Sequence, residues 1–123
     1  MQVVAHNADE LSDGSGYAPL TWISKELLNT NYHINASNSS NTEGTGAIGG
    51  WPKTAMYKYI NTTIKALLPE NLKTSIRTVN KSYRGYDTSG NMYLDVSADA
   101  CWIPSYREIY GTSNNETSGP MYT

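Results

Sequence analysis

Apolar residues recur at helical spacing only between Trp51 and Val79. Met56, Tyr59, Ile60, Thr63, Ile64, Leu67 and Leu68 fall three or four apart, which lays one apolar stripe along a helix. Pro52 suits the first helical position, where an N–H would lack a partner anyway and φ must already be helical. Pro69 marks a second start, and Leu72, Ile76 and Val79 carry the stripe onto a shorter helix. The pattern predicts two grouped helices, about 52–67 and 69–77.

Elsewhere the period is two, or there is none. Short apolar or alternating runs predict strands at 2–5, 20–23, 78–83 and 92–96, the last two as a hairpin. Ser24 is placed to cap a brief helical turn of Lys25, Glu26, Leu27 and Leu28. Ser105 and Glu108 have the spacing of a capping box, ahead of a very short helix ending at Gly111. From 29 to 50 the chain is mostly Asn, Ser, Thr and Gly, and so long a patternless stretch reads as a surface loop. Residues 84–91, with turn formers Gly85, Ser89, Gly90 and Asn91, read as a second surface loop. The stretch 112–123 reads as an irregular tail. Grouped helices with short antiparallel strands make an α+β pattern, and 1–123 reads as a single domain or the N-terminal part of one.

Composition makes the expected core thin. Only 38% of the 123 residues are hydrophobic, and ten Tyr and three Trp stand in for a complete lack of Phe. Such rings carry a polar handle and suit half-buried positions and interfaces. A net charge of −2 without basic runs gives no electrostatic footprint for nucleic acid. No apolar run is long enough for a membrane-crossing helix, and 1–5 has no charged leader ahead of an apolar segment. A chain like this is expected to reach a surface within a larger polypeptide or a virion.

Candidate chemistry is sparse. Cys101 is alone within an apolar run, which reads as a buried, inert thiol. His6 with Asp9 and Asp13 lacks a third ligand at a recognised spacing, and Asp87, Asp95 and Asp99 lack the alternation of a calcium loop. The expectation is no cofactor, no metal and no catalytic residue. Tyr83, Arg84, Tyr86, Asn91 and Tyr93 form the most recognition-like group, since Tyr gives rigid contact surface and Arg and Asn give directed hydrogen bonds. The rival reading is a hairpin whose tyrosines cover a thin core. Formal glycosylation sequons at Asn35, Asn38, Asn61, Asn80 and Asn115 arise by chance in so Asn-rich a chain, and Asn61 falls in a predicted helix.

Several blocks resemble, in order, those of an uncharacterised family of domains of unknown function from bacteria, phages and prophages. They are Val3-Val4-Ala5-His6-Asn7, the run Leu20 to Leu28, Gly49-Gly50-Trp51 with Met56 and Ile60-Asn61, and Leu68-Pro69. Ile76, Val79, Lys81 and Cys101-Trp102-Ile103-Pro104-Ser105 with Glu108 and Gly111 continue the series. The resemblance implies similarity to the C-type-lectin and formylglycine-generating-enzyme fold group. It carries no catalytic residues across, and it casts Trp51, Trp102, Pro104, Ser105 and Glu108 as scaffold. Family members usually run past the equivalent of Thr123, so the domain is read as incomplete, as completed by another chain, or as naturally short; a sheet edge left open would favour association.

Three functions follow as expectations. The first is a non-enzymatic recognition or structural module of a phage particle or bacterial surface, its loops gripping a glycan or protein. The second is an assembly subunit associating through the open edge, with a homo-oligomer as one form of the assembly. The third is an enzyme related to the formylglycine-generating group, for which one Cys in an apolar run is a poor fit.

Overall fold

The computed structural model describes residues 1–26, 28–35 and 48–111. The tail 112–123 and most of the first predicted loop lie outside the described residues. Within them the chain is α+β, with two two-stranded antiparallel sheets and three short α-helices.

The N-terminal strand β1 (Gln2–His6) pairs with β2 (Leu20–Ile23), with an irregularity between Val3 and Ala5. Pairing continues past the strands, where the Leu11 and Ala18 amides donate to the Gly16 and Asp9 carbonyls. Residues 1–23 therefore form one long, irregular hairpin. Its far end docks on a neighbour, with the Asn80 amide donating to the Glu10 carbonyl at 2.8 Å and the Ser12 amide to Thr78 at 3.0 Å.

That neighbour is β3 (Val79–Tyr86), which pairs without a bulge along all of β4 (Met92–Asp99). Both strands outrun their predicted ends, so the turn is confined to 87–91. The Asp87 carboxylate closes it, accepting the Ser89 and Asn91 amides at 2.9 Å, and Gly90 supplies a positive φ of 83°.

The predicted first helix is broken up. Trp51–Lys53 is a 3₁₀ turn, so Pro52 precedes the α-helix, and Thr54 caps α1 (Ala55–Tyr59) by accepting the Tyr57 amide at 3.0 Å. The chain then widens into a π turn over Ile60–Ile64. Asn61 and Thr62 donate side-chain hydrogen bonds to the carbonyls four residues back, competing with the regular ladder. The second helix, α2 (Glu70–Ser75), begins after Pro69 as expected. Residues 24–26 and 28 form no helical turn, which corrects the expectation from Ser24. The last helix, α3 (Tyr106–Tyr110), carries the complete Ser105–Glu108 capping box and ends on Gly111 at φ 76°.

Buried apolar side chains are few: Ala5, Leu11, Ala18 and Val79 among the described residues, with Trp102 packed against Leu11, Ala18 and Val79. The helical stripe of Ile60, Ile64, Leu68 and Leu72 faces Leu20 and Trp22 across an apolar cleft of about 530 Å³. The core is thin, as the composition required.

Gly50 shows how tightly the 3₁₀ turn sits on β3. Its φ is +65°, and a Cβ would lie 2.8 Å from the Arg84 carbonyl oxygen and 2.7 Å from the Tyr83 ring. Gly50→Ala is expected to lower stability by about 1–3 kcal/mol, from backbone strain and forced displacement together. Gly90→Ala also has positive φ but meets open space, so its cost should be smaller. Urea denaturation of both variants checks the order.

Candidate functional site

Alternation along β3 and β4 sorts their side chains onto two faces. Val79, Lys81, Tyr83 and Gly85 share the inner face with Tyr93, Asp95, Ser97 and Asp99. Asn80, Ser82, Arg84 and Tyr86 share the outer face with Met92, Leu94, Val96 and Ala98. The recognition group is thereby split. Tyr83 and Tyr93 meet edge to face inside, at 6.4 Å between ring centroids, while Arg84 and Tyr86 lie outside. Asn91 sits in the turn, bonded to Asp87 through its amide N–H at 2.9 Å and its side chain at 3.3 Å. Burial, then the negative charge of Asp95 opposite, holds the Tyr83 hydroxyl above its ordinary pKa.

The inner face leads to a buried charge cluster. Lys81 occupies an inward position between Val79 and Tyr83, where its side chain is largely removed from water. It pairs with Asp9 in a very short contact and with Glu108 Oε1 at 2.5 Å. Side-chain exposures of 10%, 1% and 4% for Lys81, Asp9 and Glu108 mark all three as desolvated. The Thr21 hydroxyl donates to Asp9 Oδ2 at 2.5 Å, and the Ser105 amide donates to Glu108 Oε2 at 2.7 Å. Trp102 lays its ring 4.1 Å from Lys81 Nζ. One ammonium thus joins the N-terminal hairpin, β3 and the cap of α3.

Asp99 lies beside this cluster, fully buried at the end of β4. Its Oδ2 accepts the Trp51 indole N–H at 2.7 Å, and its Oδ1 has no hydrogen-bond partner among the described residues. Burial raises its pKa, against the pull of the Trp51 and Ser97 donors and the Lys81 charge.

The five scaffold residues therefore have definite tasks at four positions. Trp51 anchors Asp99, Trp102 covers Lys81, and Ser105 with Glu108 caps α3. Pro104 stands just ahead of that cap, partly buried. Cys101 is half-buried, and burial pushes its thiol up, away from a reactive thiolate. His6 is exposed, whereas Asp9 is committed to Lys81 and Asp13 to an exposed pair with Arg77. No group of three or more potential metal ligands occurs among the described residues.

Sequence reading named Lys81, Asp9 and Asn61 but missed what they do. Lys81 had a signal, since strand parity placed it on the same face as Val79 and Tyr83, and a buried lysine requires a counter-ion. Asn61 had none. Its side chain bridges the π turn to Cys101, accepting that amide at 3.2 Å and donating to its carbonyl at 2.9 Å.

The outer face is different in kind. Met92, Leu94 and Val96 are each about half exposed in a row, at 50%, 51% and 52%. One edge of β3 already carries residues 10–12 and, in parallel, Ile48, so the free edge of this sheet among the described residues belongs to β4. The chain matches no family model, no curated protein and no solved structure. No described helix is long and apolar enough to cross a membrane.

Two outcomes test the cluster. Lys81→Met strands two buried carboxylates and is expected to cost about 3–5 kcal/mol, read by urea denaturation at neutral pH. For Asp99 the folded carboxyl binds its proton more tightly than the unfolded one, so this group's contribution to stability falls as pH rises above 3.8 toward the folded value. Asp99→Asn removes that slope. Its stability relative to the wild type should improve from acid to neutral pH, in a denaturation series across that window.

Proposed function

We propose that this chain is a non-enzymatic assembly module that associates through the edge of β4. The observation that carries the reading is an eight-residue edge strand, unbulged against β3, with three exposed apolar side chains in a row. Soluble proteins blunt such edges with Lys, Pro, bulges or a covering element, and β4 holds no Lys or Pro.

The occupant we assign is β4 of a second copy. In an antiparallel pair centred on Leu94, Leu94 meets Leu94, Met92 meets Val96, and Tyr93 meets Asp95. Apolar neighbours line up on the outer face, and the two Asp95 carboxylates stay apart. A shift that centres the pair on Asp95 sets like charges opposite each other. The self-complementary register therefore wins on both faces. The result is a four-stranded sheet with two-fold symmetry, as an isologous contact requires.

The likeness to the C-type-lectin fold group belongs to this proposal, with the hairpin as part of a sheet that a neighbouring chain extends. In a phage particle or on a bacterial surface the same edge would join protomers. The split of Tyr83, Arg84, Tyr86, Asn91 and Tyr93 between two faces and a turn favours assembly over loop-borne glycan recognition.

Light scattering after size exclusion, over a concentration series, is the test. The wild type should form a dimer, and Leu94→Lys should be monomeric with unchanged circular dichroism, because an exposed substitution there alters folding stability by only about 0.5 kcal/mol. A wild type that stays monomeric at high concentration overturns the proposal, as does a dimer indifferent to Leu94→Lys.

A further inference from the structure

The Lys81 cluster holds more than an ion pair. One amine is held in contact with two carboxylates at a site from which water is largely excluded. We infer that Lys81 and Asp9 are poised to join in an intramolecular isopeptide bond, with Glu108 carrying the proton. This inference is independent of the β4 edge.

Three features support it. The first is proximity: Lys81 Nζ touches Asp9 and lies 2.5 Å from Glu108 Oε1, so the reacting groups need no diffusion to meet. The second is desolvation. An ammonium and a carboxylate do not condense, whereas a neutral amine and a carboxylic acid do. A dry surrounding lowers the cost of moving one proton within the pair to reach the neutral forms.

The third is the division of roles between the two carboxyl groups. Asp9 Oδ2 accepts the Thr21 hydroxyl at 2.5 Å, a donor positioned to polarise the carbonyl and to stabilise the oxyanion that forms on attack. Glu108 Oε2 is engaged by the Ser105 amide, which fixes that carboxylate with Oε1 turned toward the amine. Asp9 is therefore the electrophile and Glu108 the proton carrier.

The step balances without any co-reactant. Proton transfer within the pair gives a neutral Lys81 amine and an Asp9 carboxylic acid. The Nζ lone pair attacks Asp9 Cγ, forming the C–N bond and a tetrahedral intermediate. Glu108 takes the proton from nitrogen and delivers it to the departing Asp9 hydroxyl. The C–O bond breaks, one water leaves, and a neutral secondary amide remains. Nothing is oxidised or reduced, and the net charge is unchanged.

Intact-mass spectrometry of the denatured full chain tests this. The wild type should be lighter than its sequence by one water, and proteolysis should yield one branched peptide joining Asp9 to Lys81. Lys81→Arg keeps the charge without a competent nucleophile, and it should show the full mass. Glu108→Gln keeps the helix cap, since Gln serves at that position, yet should leave the bond unformed or greatly slowed. Asp9→Asn should lose ammonia in place of water. A wild type that keeps its full mass after prolonged incubation in the folded state overturns the proposal. So does a water loss that persists in Lys81→Arg, or a branched peptide that joins Glu108.

Discussion

Everything in this fold depends on how one buried ammonium is neutralised. Lys81 draws a carboxylate from each side, Asp9 from the N-terminal hairpin and Glu108 from the first turn of α3. Magnitudes show why this matters. Ala5, Leu11, Ala18 and Val79 are the buried apolar side chains among the described residues. Burying a Leu or Val contributes about 1.5–3 kcal/mol, and Ala much less. Removing one partner from a buried ion pair costs about 3–5 kcal/mol, because the remaining charge is left in a poor solvent. Here the polar cluster and the apolar core are of comparable weight. Losing Lys81 would remove the one ammonium that these three segments share.

The same strand serves two purposes through alternation alone. The inward positions of β3 meet the charge cluster, Gly50 and the Tyr93 ring, and there is no room for a Cβ at Gly85 or Gly50. The outward positions, with those of β4, present a half-exposed apolar surface and a free edge. Rigidity inside is what makes the outer register definite. A hairpin whose pairing could slip by one residue would exchange its apolar row for its charged one.

Much of the architecture was legible in the residues. The β2 strand, the start of α2 after Pro69, and the Ser105–Glu108 cap all declared themselves through local chemistry that the structure retains. The first helix misled because the apolar spacing from Met56 to Leu68 says nothing about backbone competition. Asn61 and Thr62 turn their side chains onto preceding carbonyls, and the helix widens there. The strands of the hairpin ran longer than expected because Gly85 looked like a turn former. It is an inward strand position where the Tyr93 ring leaves no room for a Cβ. The recognition group failed to hold together for a simple reason: Tyr83 and Arg84 are adjacent in sequence, and adjacent strand residues point in opposite directions. The Asp9–Lys81–Glu108 contact spans the whole chain, and no local pattern reports a partner so distant.

The seam between residues 10–12 and β3 has a mechanical meaning. Two backbone hydrogen bonds, at Glu10 and Ser12, join it, with exposed side-chain contacts from Glu10 to Asn80, Ser12 to Thr78 and Asp13 to Arg77, and the buried Asp9–Lys81 contact lies at its end. A pull that draws the N-terminal hairpin away from the sheet therefore loads these exposed contacts together with one buried junction, Asp9–Lys81. Whether that junction is ionic or covalent decides where the molecule yields under load.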